Sequence, residues 1–330
     1  DTVLRSIEEL GLVPGGHWLQ LNSMENRVFS LPLEDGSHIV VKYYRPGRWT
    51  REQIAEEHAF LFELEQEEIP VCAPLRFSGE SLFEAEGIFY TVWNKTGGRS
   101  VDEYDAAHME LLGRLLARLH QAGERHPARY RRTFSAGTMV RQPLALLQEG
   151  GFLPEPCAER FAAAAGEVAA LYEQESAGMP LLRIHGDCHP GNILFDRDNF
   201  FFLDFDDFVT GPAVQDFWML FQDTGERGRR LRDAFLSGYA VFRDYDPRWL
   251  RLTEILRAMR FIHYAAWIAR RWEDPAFPAH FPHFGTDAYW EQETSDLENQ
   301  LTDIHEALGS GPVHSGAEPL SNKDFFWDME

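Results

Sequence analysis

The chain has 330 residues, about twice a typical domain of ~150, so two domains or one large bilobal one are expected. Hydrophobic residues at 44% and aromatics at 13%, against 25% charged, give enough apolar surface for a packed core and exclude disorder as the dominant state. Thirty-one Lys and Arg against 53 Asp and Glu leave a net charge of −22, which repels phosphate backbones and argues against nucleic acid and anionic membranes as partners.

The first hundred residues read mainly as short strands, at 17–22, 26–33, 38–44 and 88–93, rich in β-branched and aromatic residues. Asp35-Gly36 in the turn at 34–37 is a hairpin signal, so the second and third should pair antiparallel. One helix interrupts them. Thr50 is its expected N-cap with Gln53 completing a capping box, and Ile54, Glu57, His58, Leu61 and Leu64 share one side of the segment to Gln66. At Gly97-Gly98 the pattern turns helical, which suggests a hinge and three units: a sheet lobe at 1–95, a helical lobe at 96–308 and a tail at 309–330. Helices are expected at 104–122, ended by Gly123, and at 161–174, 226–242 and 248–272. Trp267, Trp272 and Trp290 read as core residues. Cys72, Cys157 and Cys188 have no C-x-x-C spacing, so neither a disulfide framework nor a structural zinc follows. With no run of ~18 apolar residues either, a soluble monomer in a reducing cytoplasm is the expectation.

The chemistry concentrates at 182–208. In His185-Gly186-Asp187-Cys188-His189-Pro190-Gly191-Asn192, an Asp and an Asn stand at the interval of a kinase catalytic loop. Asp204 follows the apolar run Phe200–Leu203, where a buried strand would deliver a carboxylate to a cleft, and the sequence there reads Asp-Phe-Asp. Mg²⁺ takes hard oxygen ligands and bridges nucleotide phosphates, while a separate carboxylate orients the attacking hydroxyl. Asn192 and Asp204 can hold the metal and Asp187 can orient. Upstream, Lys42 at the end of Val40-Val41-Lys42 can neutralise ATP phosphates, with Glu57 rather than Glu56 as its helix partner because Glu57 shares the face of Ile54 and Leu61. No G-x-G-x-x-G cradle is present. The turn at 21–27 has backbone amides and the Ser23 hydroxyl to donate to phosphate, or is a plain Asx-type turn. His185, Cys188 and His189 permit a second reading as metal ligands of a phosphohydrolase, although His185 more simply holds the loop.

These residues resemble the aminoglycoside phosphotransferase and choline kinase superfamily. The resemblance implies an α+β, protein-kinase-like two-lobed fold, with an antiparallel sheet and one helix in the N-lobe and a mainly helical C-lobe. Narrower stretches at 22–29, 40–49, 185–189, 211–216 and 270–278 look like its bacterial stress-response kinase branch. That likeness implies an ATP- and Mg²⁺-dependent serine/threonine protein kinase of the cytoplasm that phosphorylates proteins, itself included. Carried over by position, Asp187 is the proton acceptor, Asn192 and Asp204 are Mg²⁺ ligands, Asp204 also counts as catalytic, Ser23 lies at the ATP site, and Asp216 braces the catalytic loop.

Two observations bear on the acceptor. The segment between Asp204 and Asp216 is too short for the activation segment on which protein kinases dock peptides, which favours a small-molecule hydroxyl of the aminoglycoside, choline or homoserine kind. The acidic surplus suits a cationic small molecule or a basic peptide equally. The protein acceptor ranks first on the narrower resemblance. A nucleotide-binding pseudokinase is a third reading, opposed by the presence of Lys42, Asp187, Asn192 and Asp204.

Overall fold

The computed structural model describes residues 2–21, 23–221 and 225–309. A short helix α1 (Thr2–Glu8) precedes strands β1 (Leu19–Leu21), β2 (Arg27–Pro32) and β3 (His38–Tyr43), helix α2 (Arg51–Gln66), and strands β4 (Phe83–Ala85) and β5 (Ile88–Asn94). The strands form one antiparallel sheet in the order β1-β2-β3-β5-β4. The expected hairpin joins β2 to β3. Lys42 sits in the central strand, opposite Val28 on one side and Thr91 on the other.

Strand alternation decides where that lysine points. Ile39, Val41 and Tyr43 are buried with Phe29, Leu31, Tyr90 and Val92 on the face that α1 covers with Val3 and Ile7. Lys42 and Tyr44 take the opposite parity and so face α2. No motif in residues 1–14 signals α1, yet it closes the outer side of the sheet. Helix α2 starts as expected, with Thr50 and Gln53 forming both hydrogen bonds of the capping box. Its buried face contains Glu57 and His58 among Ile54, Phe60, Leu61 and Leu64.

The second lobe is mainly helical. It contains α3 (Ala106–Arg125), α4 (Gln142–Glu149), α5 (Glu155–Glu175), α6 (Gln215–Trp218), α7 (Gly225–Tyr239), α8 (Thr253–Ala269), α9 (Ala276–His280) and α10 (Asp287–Gly309). Between α5 and α6 lie two small antiparallel pairs, β6 (Leu181–Ile184) with β9 (Val209–Pro212) and β7 (Ile193–Asp196) with β8 (Asn199–Phe202). The α+β two-lobed expectation holds. Several boundaries differ: α5 begins at Glu155 behind Pro154, and the expected helix at 248–272 divides into a 3₁₀ stretch (Pro247–Leu252) and α8. Helices α4 and α10 carry no expectation from the sequence. Of the expected tail, only Gly309 lies within the described residues, as the end of α10. Trp290 is fully buried, as expected of a core residue, whereas Trp267 is half-buried and its indole N–H donates to Glu25. Among the described residues, no helix is long and apolar enough to cross a membrane.

Gly123 does not end α3; the helix runs through it to Arg125. A Cβ at Gly123 would lie 2.1 Å from the Arg183 carbonyl oxygen, so glycine is required for β6 to pass close to α3. This gives a sign test. Gly→Ala inside a helix normally gains ~1 kcal/mol, but here we expect Gly123→Ala to cost ~2–4 kcal/mol by overpacking, read by urea unfolding. A stabilised variant would mean that the two elements are not in contact.

Candidate active site

Strand β6 delivers the loop that begins at His185. The buried Asp216 carboxylate at the start of α6 accepts the backbone N–H of His185 and of Gly186, each at 2.8 Å, and lies 3.0 Å from His120 Nε2. Three hydrogen bonds on one buried carboxylate fix where the loop leaves the strand. Gly186 has φ +86°, and a Cβ there would lie 2.3 Å from the Asp207 carbonyl oxygen, so no other residue fits. His185 Nε2 donates to the Leu203 carbonyl at 2.7 Å while Nδ1 accepts the Asp187 N–H at 3.3 Å, which assigns the neutral Nε2–H tautomer. His185 therefore holds the loop rather than a metal. Cys188 is fully buried, with burial raising its thiol well above the usual range, and His189 Nδ1 accepts from the Gly191 N–H. The three residues of the phosphohydrolase reading thus have separate structural duties.

Asn192 ends the loop in a 3₁₀ turn. Its Nδ2 donates to the Asp187 carbonyl at 3.0 Å, and its carbonyl accepts the Leu203 N–H at 2.9 Å, which ties the loop to the strand that ends before Asp204. Asp204 is a non-glycine residue in the left-handed region, at φ 50° and ψ 69°. That conformation costs ~1–2 kcal/mol and turns the chain sharply into the 3₁₀ segment Phe205–Asp207. Phe205 then packs on the His185 ring at 4.5 Å and against Phe60 of α2 at 6.1 Å. The turn presents the Asp204 side chain, 51% exposed, to the opening.

Lys42 reaches into this turn. Its Nζ lies 3.3 Å from Asp204, 3.2 Å from Asp206 and 3.8 Å from Glu57. Burial alone would lower the ammonium, but Asp206, Asp204 and Glu57 outweigh it and hold its pKa well above the ordinary lysine value. The expected Lys42–Glu57 pair forms, and Glu56 is excluded because it instead accepts three backbone N–H groups at Arg129, Tyr130 and Arg131. Two participants escaped the sequence reading. Arg131 donates to Glu57 at 2.7 Å and to the Asp206 carbonyl at 2.6 Å, with both ionic side chains buried. Asp206 is bound by Asn26 at 3.1 Å and by Arg48. The visible signal for Asp206 is the second acid of Asp-Phe-Asp, two positions after Asp204; Arg131 has no comparable signal, being 74 residues from Glu57.

Burial raises the Glu57 carboxyl to about 7, against the opposing pull of Lys42 and Arg131. A carboxyl whose pKa is higher folded than unfolded stabilises the fold fully below its unfolded value of 4.5, and that contribution is lost as pH rises to about 7. Unfolding followed at pH 5 and pH 8 should therefore show less loss toward high pH in Glu57→Gln than in the parent, by up to ~3 kcal/mol. Equal pH dependence in the two proteins would mean that Glu57 is ionised throughout.

Asp187, 25% exposed, faces Arg260 of α8, whose Nη1 donates to Oδ1 at 2.9 Å. Burial would raise this carboxyl, but the Arg260 guanidinium holds it well below the usual carboxylate range. Ser23 lies at the turn between β1 and β2, where its Oγ accepts the Asn26 N–H at 3.2 Å; Asn22 falls outside the described residues. Beside it, Glu25 is bound by Trp267 at 2.9 Å, Arg271 at 2.5 Å and Arg48 at 3.2 Å, which ties the turn to α8 across the cleft. The expected residues thus form one chain of neighbours: Lys42 from the sheet lobe meets Glu57 and Asp204, and the loop residues Asn192 and Asp187 join the strand end before Asp204 through the Asn192 carbonyl and the Leu203 N–H. Asn192 and Asp204 offer amide and carboxylate oxygens, the hard donors that suit Mg²⁺.

Residues 17–252 match the model of the phosphotransferase enzyme family. The chain is 38% identical over 307 residues to stress response kinase A of Escherichia coli (strain K12), covering 93% of each protein. It is 37% identical, with the same coverage, to the serine/threonine protein kinase RdoA of Salmonella typhimurium (strain LT2). Its fold is similar to that of amicoumacin kinase hAmiN in complex with AMP-PNP, Ca²⁺ and Ami, at a TM-score of 0.73 and 18% identity, over 91% of this chain and 94% of the other.

Proposed function

Because the chain belongs to the phosphotransferase enzyme family, in its stress response kinase A branch, we propose that it is an ATP- and Mg²⁺-dependent kinase that phosphorylates serine or threonine of proteins, itself included. The observation that carries phosphotransfer is the Lys42–Asp204 pair, backed by the buried Glu57, beside the loop that holds Asp187 and Asn192 and is tied to it through Leu203. Lys42 neutralises phosphate oxygens of the nucleotide, and Glu57 and Arg131 hold it in place. Asn192 and Asp204 hold the magnesium ion, which neutralises charge on the phosphates when bound. The Ser23 turn covers the nucleotide. Asp187 receives the hydrogen bond of the acceptor hydroxyl and takes its proton as the new O–P bond forms, while the bond from the γ-phosphorus to the bridging oxygen of ADP breaks.

A carboxylate held this acidic is a weak base. Its contribution is orientation of the hydroxyl, which a loose, dissociative transfer requires, with the proton moving late. Asp216 positions the loop through its backbone bonds.

The protein acceptor is supported by the relatives at 37–38% identity, one of which is named a serine/threonine protein kinase. A second reading, transfer to a small-molecule hydroxyl, is favoured by the short connection of β9 between Asp204 and Asp216 and by the amicoumacin kinase that shares the fold. We place the activity in the cytoplasm. The test is transfer of labelled γ-phosphate with Mg²⁺ to mixed proteins, to the chain itself, and to choline, homoserine and aminoglycosides. Label on protein Ser or Thr supports the first reading. Label confined to a small molecule replaces it with the second, and nucleotide binding without transfer to anything leaves a pseudokinase.

A further inference from the structure

Backbone hydrogen bonds fix the catalytic loop but leave one side chain to be set. Asp216 accepts the N–H groups of His185 and Gly186, each at 2.8 Å, Gln215 Nε2 donates to the Gly186 carbonyl at 3.0 Å, and Asn192 Nδ2 donates to the Asp187 carbonyl at 3.0 Å. None of these bonds touches the Asp187 carboxylate. Rotation about χ1 would swing that carboxylate away from an acceptor hydroxyl while the backbone stayed in place.

Two side chains face the carboxylate. Arg260 Nη1 donates to Oδ1 at 2.9 Å, whereas His189 Nε2 stands 3.5 Å from Oδ2, at the outer limit of a hydrogen bond. The short, charge-assisted bond is the one from Arg260. It comes from a firm support: α8 buries Ile255, Met259 and Ile262 on either side of Arg260, and the same Nη1 lies 3.8 Å from Met219 Sδ, just after α6. One turn earlier, Arg257 packs over the Trp218 ring at 5.3 Å. The Trp218 indole N–H donates to Gln215 Oε1 at 3.2 Å, and Gln215 is the residue that holds the Gly186 carbonyl. Arg257 and Arg260, three positions apart and so neighbours on one helix face, therefore reach the loop by two routes. One ends on its backbone and the other on the Asp187 side chain.

We propose, on the role given to Asp187 above, that Arg260 is a positioning residue for phosphotransfer: it holds the Asp187 carboxylate in the rotamer that meets the acceptor hydroxyl. A carboxylate has roughly four acceptor positions, so one N–H on Oδ1 leaves room for the hydroxyl. The role is the same for a protein or a small-molecule acceptor, since both present a hydroxyl.

The test is a double-mutant cycle on single-turnover transfer of labelled γ-phosphate, comparing the parent, Arg260→Met, Asp187→Ala and the double variant, with the acceptor that takes label in the transfer assay above. Met keeps an unbranched side chain and removes the donor. The Arg260 and Asp187 side chains are 27% and 25% exposed, so water can reach the carboxylate left behind and folding should be retained, as checked by thermal unfolding. Arg260→Lys, made in both backgrounds, repeats the cycle with the cation kept. In the parent background, Arg260→Met should lower the transfer rate ~10- to 100-fold, the scale for a reacting group displaced by about 1 Å, with the ATP concentration for half-maximal rate unchanged. Arg260→Lys should fall between the two. In the Asp187→Ala background, Arg260→Met should change the rate less than about twofold, because no carboxylate is left to position. An equal loss in both backgrounds would assign Arg260 to the packing of α8 and overturn the proposal. So would an Arg260→Met variant as fast as the parent or faster, or a loss confined to the ATP requirement. Asp187→Ala at the parent rate, or no transfer to any acceptor, would sink the role of Asp187 itself, and both are read without an Arg260 variant.

Discussion

Asp187→Ala should reduce kcat by ~10²- to 10⁴-fold, equivalent to ~3–5 kcal/mol of barrier, while leaving the affinity for nucleotide within a few-fold of the parent. The separation follows from where the carboxylate stands. Asp187 touches neither Lys42 nor Asp204; its side-chain contacts are Arg260 at 2.9 Å and His189 at 3.5 Å. The hydrogen bonds that shape the loop use its backbone, with the carbonyl accepting from Asn192 and the N–H donating to His185. Truncating the side chain should therefore remove the proposed orienting partner of the hydroxyl without disturbing Asn192 or Asp204, the proposed metal ligands. Single-turnover transfer and equilibrium binding of ATP, measured on the same sample, give the two quantities separately. Transfer at the parent's rate would remove Asp187 from the reaction, and a parallel loss of nucleotide binding would recast it as part of the nucleotide site.

What the sequence makes legible here is local, and what it hides is long-range. The capping box at Thr50 and the hairpin at Asp35-Gly36 each depend on residues a few positions apart, and both are as expected. The Asp187–Asn192 interval and the acid after β8 are also local, so the residues alone point to them. Arg131 and Asp206 belong to the same charge network but lie far apart in the chain, and only the fold brings Arg131 to Glu57. Gly123 misleads for a related reason. Within its own helix it reads as a stop, and its actual constraint is the carbonyl of Arg183 on a strand formed much later in the chain.

Asp204 combines a charge that binds and a backbone that is strained, and two substitutions separate them. Asn tolerates the left-handed conformation at φ 50°, so Asp204→Asn should fold like the parent while losing the anionic oxygen. Asp204→Ala loses the same oxygen and should unfold more easily than the Asn variant by ~1 kcal/mol, because Ala is less content in that region. Neither change should release Lys42, which keeps Asp206 at 3.2 Å and Glu57 at 3.8 Å. Both variants should therefore lose transfer by at least ~10³-fold through the metal rather than through the lysine. The distinguishing measurement is calorimetric binding of ATP with and without Mg²⁺. In the parent, Mg²⁺ should strengthen binding; in both variants that gain should fall away, while binding of ATP alone is unchanged or slightly tighter because an anion facing the phosphates has been removed. A variant that keeps the full Mg²⁺ gain would show that Asn192 and other oxygens suffice to hold the metal, leaving Asp204 with the turn and the lysine as its duties.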